Sequence, residues 1–225
     1  MPVPPGMSVA PVRVFYLHGF ASSPKSTKVR YFTERFREHG VDVRCPDFNQ
    51  PDFATMTLTR MLDQLGAEMR TPDRAPVTLI GSSLGGTLAI LAAAQCGAQV
   101  DRLILLAPAV MFAKPGHHLL PPERIEVWRR RGALSFFHHA DNAERDLNVA
   151  FYEDSLRYDS FNATIEQPTL IFQGLRDESV DYRTVEAFAK TRRNVTLSLL
   201  DDDHQLIASL PRIWHDVEAF LGLDQ

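Results

Sequence analysis

The sequence predicts an α/β fold: a parallel sheet of about six strands with helices on both faces. Three observations predict it. Short apolar runs alternate with amphipathic helical patterns along most of the chain. Those runs are continuously apolar, as in strands covered on both faces. The segments between them are long enough to carry a helix, as crossovers between parallel strands require.

The elements follow in order. Residues 1–11 are Pro-rich and carry no periodic pattern. Val12–Leu17 (VRVFYL) is a strand, followed by the turn-rich HGFASSP. Ser26–Glu38 sets Val29, Phe32 and Phe36 at helical spacing, and Gly40 stops it. Val41–Cys45 is a short strand closed by Pro46. Leu58, Met61, Leu62, Leu65 and Met69 recur at a helical period, which predicts a helix over about 53–70. Pro76–Ile80 is a strand, Leu84–Cys96 an alanine-rich helix and Arg102–Leu106 a strand. Pro168–Phe172 is a strand, Val180–Lys190 a helix and Val195–Leu200 the last strand. Leu206, Leu210, Ile213, Trp214, Val217 and Leu221 form the stripe of a final helix.

Residues 109–167 break the alternation and show no convincing strand. Pro122–Arg131 reads as a helix with Gly132 as its stop. Asp141 followed by Glu144 resembles an N-terminal cap for a second helix reaching about Tyr158. We expect a helical lid over the carboxyl ends of the strands, where such sheets bind ligands. The 225 residues fit a single domain carrying this insertion.

Apolar residues make up 44% of the chain, charged residues 23%, and the net charge is -4. That balance points away from nucleic acid or an anionic membrane as the main partner. No segment approaches the ~20 apolar residues of a membrane span. The N-terminus, MPVPPGMSVAP, has no basic stretch followed by an apolar run, and we read the protein as cytoplasmic. Cys45 and Cys96 make no disulfide framework; both read as free buried thiols, with a pairing between them left open. Oligomeric state is not legible.

Gly81-Ser82-Ser83-Leu84-Gly85 matches G-x-S-x-G. Chance alone supplies roughly 0.03 such matches in a chain of this length. The context adds more, because a strand (VTLI) precedes the motif and a helix (LGGTLAILAAA) follows it. So sharp a reversal strains the serine backbone, and side chains at Gly81 and Gly85 would collide. Gly86 lets the helix lie close to the sheet. The fold this predicts is the α/β-hydrolase fold, with Ser83 as nucleophile. The bland alternative is a phosphate cradle, but a P-loop lysine is missing.

Serine needs a base, and the base an orienting acid. In this fold the chain order is Ser, acid, His. Asp177 lies in GLRDESV after PTLIF, and His204 lies in DDDHQL after VTLSLL. Glu178 rivals Asp177 but lies farther from the strand end. Asp201, Asp202 and Asp203 read as a polar loop that fixes or charges His204. Of the eight histidines, His204 alone follows the last strand. His117, His118, His138 and His139 fall in the insertion and carry only a weak metal signal; no metal or cofactor is expected. His18-Gly19-Phe20 follows the first strand, where this architecture places its second oxyanion donor. The amides of Leu84 and Phe20 are the expected donors, with Ala21 second to Phe20, and His18 is read as structural. Phe112, Trp128, Phe136, Phe137, Phe151, Tyr152 and Phe161 are read mainly as packing of the lid, with a few lining an apolar acyl pocket.

The segments LHGFASSPKSTK, GSSLGG and GLRDESVDYRT together resemble the small YqiA-like bacterial esterases of the α/β-hydrolase superfamily. The resemblance implies activity on short acyl esters and coenzyme A thioesters, and by position it assigns Ser83, Asp177 and His204. Residues 109–167 depart from the family, and Asp203 stands where the family has a glycine before the histidine. The expected function is a serine carboxylesterase acting on a short- to medium-chain ester or thioester. The alternatives are an acyl-CoA thioesterase or C–C bond hydrolase with the same triad, and a non-catalytic ligand-binding homologue.

Overall fold

The computed structural model describes residues 13–70, 75–114, 117 and 120–223. The chain runs through β1 (Arg13–Leu17), α1 (Thr27–Glu38), β2 (Val43–Arg44), α2 (Leu58–Met69), β3 (Val77–Ser82), α3 (Leu84–Gln95) and β4 (Val100–Leu106). The segment after β4 carries α4 (Pro122–Arg131), β5 (Ala133–His138), β6 (Ala143–Asn148) and α5 (Ala150–Ser155). The chain then returns through β7 (Thr169–Gly174), α6 (Tyr182–Lys190), β8 (Val195–Leu200) and α7 (Leu210–Leu221).

Six of these strands form one sheet in the order β2-β1-β3-β4-β7-β8, and every pairing in it is parallel. From β1 the chain crosses outward to β2, whereas from β3 it crosses the other way to β4. The loops leaving β1 and β3 therefore diverge and open a crevice at their carboxyl ends. The register aligns those ends: Leu17 pairs with Gly81, Ser82 with Leu106, and Leu106 with Phe172.

Side-chain alternation sorts the core into two layers. Phe15, Leu17, Leu79, Leu103, Leu105 and Ile171 face α2, α3 and α6. Val14, Tyr16, Ile80, Ile104, Leu106 and Phe172 face α1 and α7. Helix α1 opens at Ser26, whose hydroxyl accepts from Val29 N–H. It buries Val29, Phe32 and Phe36, with Phe36 edge-on to Trp214 of α7 at 5.0 Å. Each such side chain contributes about 1.5–3 kcal/mol. Helix α3 is buried on nearly every side, which is why its sequence shows no polar stripe.

The segment between β4 and β7 differs from the all-helical expectation. Residues 133–148 form an antiparallel hairpin, with Ala133 opposite Asn148 and His138 opposite Ala143. Asp141 and Glu144 belong to this hairpin, not to a helix cap, and the following helix is only Ala150–Ser155. The signal was weak because β6 (AERDLN) buries only Leu147. Asn142 turns the chain at φ 50, which asparagine tolerates. Trp128 donates from Nε1 to Leu147 O (2.8 Å), fastening α4 to the hairpin. His139 N–H donates to Ala21 O and Asn148 N–H to Ala54 O, both at 2.9 Å, tying the hairpin to the body.

Cys45 and Cys96 are both free and only partly buried. Burial pushes the Cys45 thiol up to about 12. No helix of the described residues is long and apolar enough to cross a membrane. The histidine-rich segment contributes no metal-type cluster among the described residues, and His118 lies outside them.

Helix α3 begins against the end of β1: a Cβ at Gly85 would land on the Leu17 carbonyl. Neither backbone can retreat without breaking the sheet. Gly85→Ala is expected to lower stability by about 3 kcal/mol, read as a fall in the urea midpoint at constant m. Gly132→Ala serves as the comparison. Gly132 has φ 75 and open space around it, so only the left-handed strain applies, about 1 kcal/mol.

Candidate active site

Ser83 joins β3 to α3 with φ 54 and ψ -115, a conformation L-residues rarely adopt. The surroundings hold it there. Its N–H donates to Leu106 O (2.9 Å), and its carbonyl accepts from Gly86 N–H (2.9 Å) and Ala109 N–H (3.1 Å). A Cβ at Gly81 would meet the Gly85 carbonyl, so both motif glycines are required. At Gly86 a Cβ would fall 2.6 Å from Pro108 Cβ, so that glycine clears the loop after β4 rather than the sheet itself.

His204 Nε2 lies 3.0 Å from Ser83 Oγ, and His204 Nδ1 lies 2.8 Å from Asp177 Oδ2. A carboxylate only accepts, so Nδ1 carries the proton and donates to Asp177. Nε2 is then free to accept from the Ser83 hydroxyl. The His204 side chain is 19% exposed and that of Asp177 is 0% exposed.

Asp177 collects more donors than His204. Its Oδ1 accepts from the amides of Ser179 and Val180, both at 2.8 Å, and its Oδ2 also accepts from Gln173 Nε2 at 2.8 Å. Burial by itself raises the pKa of Asp177; the hydrogen bonds from His204, Val180 and Gln173 outweigh it and hold the carboxyl below its ordinary value. Gln173 was missed at the level of sequence. Its signal is a polar residue inside the otherwise apolar strand TLIFQG, fully buried in the sheet.

The rival acids fall elsewhere. Glu178 is exposed. Asp201 pairs with Arg176 at 3.0 Å. Asp202 accepts from the amides of Asp203 (2.8 Å) and Ser209 (2.9 Å), and Asp203 from that of Gln205 (2.8 Å). These bonds shape the loop that carries His204, and none of these acids touches the ring. Asp203 does not have a positive φ, so the position does not require glycine.

The loop after β1 faces the elbow. Gly19 O accepts from Ser22 N–H (3.3 Å), closing a turn with Phe20 and Ala21 at its centre, and Ala21 takes φ 51. His18 Nδ1 donates to Gly19 O (2.9 Å), while its Nε2 accepts from Phe48 N–H (3.2 Å). Both ring nitrogens are therefore used by a neutral imidazole, and burial lowers its pKa accordingly. Gly19 O and Phe20 N–H share one peptide plane, so fixing the carbonyl fixes the direction of the amide. Among the described residues neither Phe20 N–H nor Leu84 N–H donates to a protein acceptor.

Ser83 and His204 open onto a cleft of about 840 Å³, which Phe20, Lys28, His139 and Ile207 also line. His139 reaches it from the hairpin. His138 is instead buried, 3.1 Å from Asn49 Oδ1 through Nε2. The aromatics between β4 and β7 do not line this cleft: Phe112, Trp128, Phe136, Phe151, Tyr152 and Phe161 pack in the core, and Phe137 is 46% exposed. The Phe20 ring joins them, 5.4 Å from Phe136 and 5.6 Å from Phe151.

Known structures share this architecture. Est1E from Butyrivibrio proteoclasticus, solved with ferulic acid bound, matches with a TM-score of 0.79 at 24% identity over 93% of this chain and 88% of that one. Alpha/beta hydrolase domain-containing protein 10 from mouse matches at 0.78 and 19% identity, over 94% and 90% of the two chains. A monoacylglycerol lipase from Paleococcus ferrophilus matches at 0.66 and 13%, over 89% and 93%. The fold is that of the α/β hydrolases. Residues 13–221 match the model of the Uncharacterised protein family (UPF0227), and the chain belongs to that family, the YqiA-like proteins that its sequence resembles.

Proposed function

We propose that the protein is a serine hydrolase that cleaves short acyl esters through an acyl-enzyme on Ser83. The observation that carries this reading is the unbroken path of hydrogen bonds from Ser83 Oγ through His204 to Asp177. As Oγ attacks the ester carbonyl, its proton passes to His204 Nε2. The imidazolium is stabilised by the Asp177 carboxylate. The oxyanion of the tetrahedral intermediate takes hydrogen bonds from the amides of Leu84 and Phe20, each worth about 3 kcal/mol of barrier. The C–O bond then breaks and the alcohol leaves with the proton from His204. Water, deprotonated by His204, attacks the acyl-enzyme and releases the acid.

Few large apolar side chains line the cleft, Tyr16, Phe20 and Ile207 among them, which favours a short acyl chain. We read the insertion as a cap on the site. Support comes from its hairpin tip, where His139 and Ala140 line the cleft and His139 N–H bonds Ala21 O in the turn beside the elbow.

With nitrophenyl acetate or butyrate as substrate, Ser83→Ala is expected to lower kcat on the order of a million-fold; full turnover by this variant overturns the reading. Asp177→Asn is expected to cost about ten-thousand-fold, because the amide stabilises the wrong imidazole tautomer. Gln173→Leu removes one charge-assisted bond to Asp177 and is expected to lower kcat by about ten- to a hundredfold at steady KM. An unchanged kcat in a folded Gln173→Leu protein would remove Gln173 from the positioning set.

A further inference from the structure

Lys28 is a buried cation that the reaction above does not use. It sits in the first turn of α1 and is only 8% exposed. Lysines are almost never buried to this degree unless paired. Among the described residues its ammonium makes no hydrogen bond to a protein acceptor and has no carboxylate in ion-pair contact. Asp177, Asp202 and Asp203 are close enough to favour its charge, but the first is held by His204, Gln173 and two amides, and the other two by loop amides. Burial lowers the pKa of Lys28 to about 8, and these carboxylates limit the fall. At neutral pH the ammonium is mostly charged.

Lys28 lines the same cleft as Ser83 and His204. So does Tyr16, whose buried hydroxyl has the Ser82 side chain beside it. Ser26 and Thr27 bring the N-terminal turn of α1 to this wall, with the positive end of its dipole. Lys25 also lines the cleft, and among the described residues no Asp or Glu side chain does. A largely buried ammonium without a protein partner, beside a helix N-terminus, forms a site prepared for negative charge. The lysine is already largely desolvated in the free protein, so an arriving anion gains a preorganised partner.

We propose that this wall is a subsite for an anionic group of the substrate, a carboxylate or phosphate a few bonds from the scissile carbonyl, held by Lys28 with the first turn of α1. The inference rests on the esterase reading and names its substrate class: esters of acidic molecules rather than of plain fatty acids. Lys28 then acts through binding, as a specificity residue.

The test compares 4-nitrophenyl hemisuccinate with 4-nitrophenyl butyrate, in which a methyl replaces the carboxylate, both corrected for spontaneous hydrolysis. The expected kcat/KM of the native protein favours the hemisuccinate by about tenfold or more, mainly through KM. Lys28→Gln is expected to collapse that ratio, and Lys28→Arg to retain part of it. In the native protein the ratio should also fall as pH rises through about 8, the range in which Lys28 loses its charge. Protonation effects on the chemical steps common to both esters cancel in the ratio, and the hemisuccinate stays ionised throughout. Succinate and inorganic phosphate should compete with the butyrate ester, and the stronger competitor identifies the anion.

Turnover of both esters without preference, and without competition by either anion, overturns the subsite and leaves the esterase reading intact. An equal loss on both esters in Lys28→Gln assigns Lys28 to charge balance around Asp177 and likewise overturns the proposal. If neither ester is hydrolysed, the esterase reading fails. The subsite is then judged by a rise in Tm with succinate or phosphate, which Lys28→Gln must abolish; no rise overturns it. Should Lys28→Gln fail to fold, the pH dependence and the competition in the native protein decide.

Discussion

The backbone reversal at Ser83 is the constraint on which the rest of the site depends. A strand must turn into a helix within one residue, and the turn holds Ser83 at a positive φ. That requires glycine on either side, because the two flanking backbones pass within contact distance of each other and of Leu17. It also sets where β1 can end. The loop leaving β1 is thereby placed beside the elbow, and its turn directs Phe20 N–H while the start of α3 directs Leu84 N–H. The strain is borne by a parallel sheet whose four central strands are largely buried on both faces and whose register lines up the loop origins.

A second constraint is directional. Ser83 donates to His204, His204 to Asp177, and Asp177 accepts from Gln173, Ser179 and Val180 as well. A carboxylate cannot donate, so the direction of every bond in the path follows from the acid at its end. The same logic fixes His18: a carbonyl on one nitrogen and an amide on the other leave only one neutral tautomer. One histidine is thus left able to take a proton, while the other serves as a strut for the turn.

Much of this was legible in the chain. The order Ser83, Asp177, His204 and the strand preceding each were enough to bring them together, because in a parallel sheet every strand end reaches the same edge. The hairpin at 133–148 was not legible, since one of its strands presents mostly polar residues to solvent and leaves no alternating pattern. Gln173 and Lys28 were missed for a related reason. Gln173 is a lone polar residue in an apolar strand and Lys28 one of a polar run, and which polar residue is buried is set by packing, not by local spacing. Of the aromatics between β4 and β7, six pack as expected; Phe137 is exposed, and none lines the cleft, although a few were expected to.

The most direct test of the nucleophile is covalent. A fluorophosphonate reacts with a serine hydroxyl only where a base removes its proton; Oγ bonds to phosphorus and fluoride leaves. Intact-protein and peptide mass spectrometry should find one adduct, on Ser83, with labelling lost in His204→Ala. Labelling elsewhere, or none on folded native protein, would contradict the assignment of Ser83 as an activated nucleophile.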